Sequence, residues 1–254
     1  MQKNLVPSVC IDAVFSGKSF NEACALVKEA NISHIEFWGW WDKDINSLQA
    51  AQHKYGLTIA ACCTKFISLV DPTLRDDYLK GLQESIQMAQ KLGCKQLISQ
   101  VGDAIESRSR AEQQQSIIDG LKAAAPLLEA AHITLVIEPL NERVDHAGYF
   151  LVHSDQAFDI VKQVASPNVK VLFDIYHQQI SEGNIIRNIA DNIDYIGHFH
   201  AAGNPGRNEL QHGEINYPQV FSAIQKTNFI GYVGLEYWPT EKQPVTALQD
   251  IAAW

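Results

Sequence analysis

Four stretches of the chain share one pattern, a short apolar run that ends in an acid or an imidazole. TLVIEPLN leads into Glu138, VKVLFDIYH into Asp174 and His177, YIGHFHAAG into His198 and His200, and YVGLEYW into Glu236. Runs that are apolar on both faces suit strands covered on both sides, as in a parallel sheet. An acid at the end of such a strand is costly to bury without a partner. Three carboxylates gathered where the dielectric is low repel one another strongly, and a divalent cation relieves that repulsion. Oxygen ligands with one imidazole suit Mn2+ or Mg2+, with Zn2+ or Co2+ as alternatives. Glu138, Asp174, His200 and Glu236 are therefore the candidate metal ligands, provided the fold brings four strand ends together. Taken singly, each has a plainer reading. A Glu at a strand end is more often salt-bridged or capping, and either of His198 and His200 alone is more often a hydrogen-bonded core histidine.

The elements that must position these residues alternate along the chain. Strands are expected over 5–12, 34–38, 57–64, 96–101, 134–137, 169–175, 195–200 and 232–237, from apolar runs bounded by turn residues. Between them, helices are expected from Ser19, whose hydroxyl can form a capping box with Glu22, and over 45–54 and 74–92. Further helices are expected over 111–131, 155–164, 185–191 and 218–226, with a short one closing the chain. Pro126 should kink or break the 111–131 helix. Eight strand–helix units in 254 residues match the typical length, about 250, of a single (β/α)8 TIM barrel of the α/β class. No Gly, Ser or Pro linker divides residues 1–254, so one domain is expected. Barrel strands all point one way, so their C-terminal ends converge on one mouth.

Composition narrows the partners. A formal net charge of −9 and a pI near 5.4 disfavour a nucleic-acid backbone, whose binding rests on Lys and Arg. Five cysteines form no CxxC pair and read as small buried hydrophobes in a reducing compartment. No stretch has the apolar length of a membrane span, and the first residues lack a signal-peptide core. A soluble, cytoplasmic protein acting on a small molecule is expected. Apolar loops could support a homo-oligomer, although nothing fixes an interface.

The segments IEPLN, FDIYHQQ, GHFHAAGNPGRNELQHGEINY and VGLEYWP resemble the hydroxypyruvate isomerase family, over essentially the whole chain. That family belongs to the xylose-isomerase-like barrels, with ketose 3-epimerases and endonuclease IV-type enzymes as relatives. The resemblance implies a divalent metal ion at Glu138, Asp174, His200 and Glu236, with Glu138 and Glu236 also as an acid–base pair. It implies that His177 and Arg207 contact the substrate. The implied reaction interconverts a hydroxy-oxo acid, hydroxypyruvate, and tartronate semialdehyde through an enediolate. Arg207 can offer a bidentate fork to the substrate carboxylate, and Lys65 could reach the pocket from the third strand.

Three departures bear on the substrate. Isomerases of this family often carry Gln where this chain has His200, whereas the epimerases carry His. The segment after the third strand reads CCTKFISLVDP rather than an Asn- and Pro-rich loop, and the second strand ends in FWGWWDKD. A ketose 3-epimerase using the same metal and glutamates is therefore the alternative reading. A non-catalytic sugar-binding barrel and an abasic-site endonuclease are weaker ones. The endonucleases need extra His ligands at the third and fourth strand ends, where this chain has Cys63-Thr64 and Gln100-Val101. Trp38, Trp40 and Trp41 could line a wall or mediate subunit contact.

Overall fold

Eight parallel strands close on themselves in sequence order in the structure, a computed structural model that describes residues 4–240 and 244–252. They are β1 (Leu5–Cys10), β2 (His34–Phe37), β3 (Thr58–Cys63), β4 (Gln96–Ser99), β5 (Thr134–Ile137), β6 (Val169–Asp174), β7 (Ile196–Ala201) and β8 (Gly231–Leu235). β8 closes on β1 in register from Leu5↔Gly231 to Val9↔Leu235. Helices follow the strands and cover the outside, as the alternation of the sequence implies. The expected TIM barrel is what forms.

Local chemistry sets the helix ends. Ser19 and Glu22, and again Ser109 and Glu112, make reciprocal capping boxes that satisfy free N–H groups at helix starts. Gly56 and Gly93 end their helices with left-handed backbone, where a side chain would be strained. All five cysteines are free and buried, as their reading as small hydrophobes requires. Among the described residues no helix is long and apolar enough to cross a membrane.

Side chains alternate across the barrel wall, one set packing on the helices and the other filling the inside. Inside, Ala61, Cys63, Ile98, Val136 and Leu172 from β3 to β6 form an apolar wedge, against which Trp38 packs. Ser8, Glu36, His198 and His200 from β1, β2 and β7 are buried as well. The interior is thus half oil and half hydrogen-bonding groups. The polar half must satisfy itself or bind something.

Several expectations need correction. β1 stops at Cys10, and Ile11–Val14 turns into a short helix that carries Asp12. β6 ends at Asp174, whose carboxylate accepts the N–H of His177 and caps a helix, Ile175–Ser181, that the sequence reading took for strand and loop. His177 therefore rides on a capped helix. Pro126 breaks nothing: the helix Arg110–Ala131 runs through it. Ala124, Ala125 and Leu128 anchor that helix on both sides of the exposed proline. Because Pro126 is exposed, Pro126→Ala loses little packing and restores the missing N–H. That variant should be more stable by about 1–3 kcal/mol, read as a higher urea midpoint; an unchanged or lower midpoint would contradict it.

Candidate metal centre and active site

Glu138, Asp174, His200 and Glu236, all buried, each place one donor atom within 4.8 Å of the others. The Nδ1 atom of His200 lies at the centre, 3.3 Å from Glu138 Oε1, 3.6 Å from Glu236 Oε2 and 4.0 Å from Asp174 Oδ2. Register explains the meeting. Asp174 pairs with His200 across β6 and β7, Glu138 directly follows β5, and Glu236 follows β8 with its N–H on the carbonyl of Ala201.

The neighbours treat the acids differently. Glu236 Oε1 accepts the indole N–H of Trp38 at 2.6 Å, and its Oε2 accepts Nη2 of Arg207 at 2.5 Å. Glu138 Oε1 is buried without an aligned hydrogen-bond partner, and so is His200 Nδ1 facing it. Two buried polar atoms facing each other without an aligned hydrogen bond are costly on their own. A divalent cation would serve both together with the oxygens of Asp174 and Glu236, so the residues present fit one.

Behind His200 stands a fourth carboxylate that the sequence reading missed. Glu36 Oε1 is 2.9 Å from His200 Nε2, a close charge contact off the N–H axis. Its Oε2 accepts the Ser8 hydroxyl at 2.5 Å and His198 Nε2 at 3.0 Å. Gly234 makes room for this contact. A Cβ there would sit 2.0 Å from Glu36 Oε1 and 2.6 Å from His200 Cδ2. His198 thus belongs to the support of His200 rather than to the ligand set.

Electrostatics follow from this packing. Burial alone would push His200 down, but Glu36 and then Glu236 outweigh it and hold the imidazole proton well above its ordinary range. Burial raises both Glu138 and Asp174 despite His200 beside them. Burial would also raise Glu236, but Arg207 and then His200 pull its carboxyl below the usual range. Glu36 is likewise lowered, His200 and then His198 overcoming its burial.

The remaining predicted residues divide. Arg207 reaches the site: besides Glu236 it lies 4.0 Å from Asp145 and over the Tyr176 ring, and its buried Nε has no hydrogen-bond partner. His177 is fully buried beside Asp174, with Nε2 3.8 Å from Asp174 Oδ2. Lys65 is not brought in. It follows Thr64 beyond the end of β3, pairs with Glu84 on the neighbouring helix and lies over the Trp40 ring. Trp38 does line the site; Trp41 packs edge-on against the exposed Phe66. Among the described residues the metal-type clusters draw no ligand from β3 or β4, in line with the missing endonuclease ligands.

A family model described as xylose isomerase-like TIM barrel matches residues 24–254. The chain belongs to the xylose isomerase-like TIM barrel family. Within that family, a protein named hydroxypyruvate isomerase from Escherichia coli is 34% identical over 81% of this chain and 82% of its own length. A 2-oxo-tetronate isomerase from Cupriavidus necator is 34% identical over 66% of this chain and 64% of its own. A human protein named putative hydroxypyruvate isomerase is 32% identical over 64% of this chain, which spans 60% of that protein's length. A solved barrel, titled AP endonuclease, family 2, from Brucella melitensis, superposes with a TM-score of 0.91 at 28% identity, covering 98% of each chain. These named relatives support an isomerase as the enzyme class.

Two outcomes test the centre. A cation that takes His200 Nδ1 must displace the proton held there. Affinity for Mn2+ should therefore climb with pH, by about tenfold per unit for one proton below the His200 pKa. Calorimetry in buffers of different ionisation enthalpy reads that proton directly. Removing the charge behind the ligand in Glu36→Gln should weaken Mn2+ binding by roughly 10- to 100-fold; equal affinity would show Glu36 to be a bystander.

Proposed function

We propose that the chain is a divalent-metal-dependent isomerase that interconverts hydroxypyruvate and tartronate semialdehyde. The observation that carries this reading is the convergence of the buried Glu138, Asp174, His200 and Glu236, with donor atoms within 4.8 Å of one another. Names of relatives at 34% identity point to the same hydroxy-oxo acid class. Mn2+ or Mg2+ is the fitting ion for three carboxylates and one imidazole. When bound, such an ion stabilises negative charge on the neighbouring substrate oxygens as a carbon proton leaves.

The chain's own groups then have separable tasks. Glu138, its carboxyl raised by burial, is the stronger base and takes the proton from C3 through the oxygen not committed to the ion. The electron pair moves to the C2 carbonyl and gives an enediolate. Glu138 then returns a proton to C2, while Glu236, held ionised between Trp38 and Arg207, shuttles the hydroxyl proton. The hydroxyl proton passes from O3 to O2, so the atoms balance. Arg207 offers its unpartnered Nε edge to the substrate carboxylate. The free buried cysteines fit a reducing, cytoplasmic setting.

Epimerisation of a free ketose at C3 is the second reading. It is favoured by His200 and by the way Glu138 and Glu236 both approach its Nδ1, at 3.3 and 3.6 Å. Proton exchange at one carbon from opposite faces needs such a pair.

Incubation with Mn2+ and hydroxypyruvate in deuterated water should yield an aldehyde product and solvent deuterium on carbon. Glu138→Gln should lower the rate by about 10²–10⁴-fold. Epimers formed from a ketose panel, with no aldehyde from hydroxypyruvate, would transfer the assignment to the second reading.

A further inference from the structure

Asn141 lies three residues beyond Glu138 and is fully buried. Its side-chain oxygen accepts two backbone N–H groups of its own turn, from Val144 at 2.9 Å and Asp145 at 3.3 Å. That fixes the amide orientation, because an NH2 cannot accept a hydrogen bond. The Nδ2 group must therefore face the other way. There it donates to Asp145 Oδ2 at 2.7 Å and meets His177 Nδ1 at 2.7 Å. The backbone N–H of Asn141 also donates to His177 Nδ1, at 3.2 Å.

Two donors converging on one ring nitrogen leave no place for a hydrogen on it. A neutral imidazole carries one hydrogen, so that hydrogen is on Nε2. Nε2 is buried and has no hydrogen-bond partner; Asp174 Oδ2, the oxygen that also approaches His200 Nδ1, stands 3.8 Å away. The helix that carries His177 is tied to the same acid, since the His177 backbone N–H donates to Asp174 Oδ1 at 2.9 Å. A buried, unpaired N–H at the edge of the carboxylate cluster is a hydrogen-bond donor waiting for an oxygen.

We propose that Asn141 is a positioning residue that locks His177 in its Nε2–H tautomer. The ring then acts on a substrate hydroxyl, carbonyl or enediolate oxygen as a donor and never as a base. Its substrate half rests on the isomerase reading; the tautomer half stands on hydrogen bonds alone. Proton removal is left to the glutamates, and a neutral donor stabilises charge on oxygen without adding a competing base beside them.

Asn141→Asp tests this. A carboxylate accepts only, so it would draw a hydrogen onto His177 Nδ1. Long-range 1H–15N spectra of the Mg2+-loaded protein, with His177 assigned by its loss in His177→Gln, should show wild type protonated at Nε2 and bare at Nδ1. In Asn141→Asp the hydrogen should appear at Nδ1. kcat/KM for hydroxypyruvate should fall roughly 100- to 1,000-fold, as for loss of an aligned donor, while Mn2+ affinity holds. A wild-type ring protonated at Nδ1 would overturn the proposal even if the variant failed to fold. So would a variant with wild-type turnover. If wild type converts neither hydroxypyruvate nor any ketose, the isomerase reading falls, and the wild-type spectrum still decides the lock.

Discussion

Three carboxylates buried side by side are the constraint to which the rest of this barrel answers. Parallel strands deliver Glu138, Asp174 and Glu236 to one rim, and burial makes their mutual repulsion worse rather than better. Positive groups are set on both sides of them. Below, Glu36 lies against His200, and His200 faces the three acids. Above, Arg207 holds Glu236 and in turn faces Asp145. Charge thus alternates in sign from the barrel interior to the loops, and each member has an opposite neighbour. A divalent ion fits where Glu138, Asp174 and Glu236 meet His200 Nδ1, with Glu138 Oε1 and His200 Nδ1 lacking an aligned hydrogen bond.

The division of the interior into an apolar and a polar wedge serves the same end. Ala61, Ile98, Val136 and Leu172 keep one side dry, which strengthens every charge interaction on the other. Gly234 makes the polar side possible at all, since any side chain there would occupy the position of the Glu36 carboxylate. The missing Cβ is a requirement of the site as much as of the strand.

Much of this was legible in the sequence because strand ends carry the chemistry. Apolar runs that stop at Glu138, Asp174, His200 and Glu236 reveal both the strand and the rim, and one rim joins them. Glu36 was not legible, because HIEF reads as an ordinary strand with one acid. Its significance depends on β2 facing β7 across the interior, though an acid alternating with apolar residues opposite a His-x-His strand is a usable sign. Lys65 misled for a related reason. Two residues past the end of β3 the strand alternation no longer holds, and the side chain turns out to Glu84. Asn141 was passed over because its role needs a turn closing on its own side chain and a helix placing His177 against it. Neither is a spacing in the chain.

Arg207 shows why residue type matters as much as position at such a rim. One face of its guanidinium holds Glu236 through Nη2, and Nη1 leans toward Asp145, yet Nε remains unpaired. A lysine offers one compact charge and would have to choose between anchoring the acid and meeting a substrate carboxylate. The planar fork does both in separate directions. In the proposed reaction this lets Glu236 stay fixed and ionised while substrate enters, so recognition of the anion need not disturb the acid–base pair. The strict geometry of Asn141 and His177 follows the same logic, and Asp145 faces both Asn141 and Arg207. There too a group with directional donors is committed on one edge and free on the other.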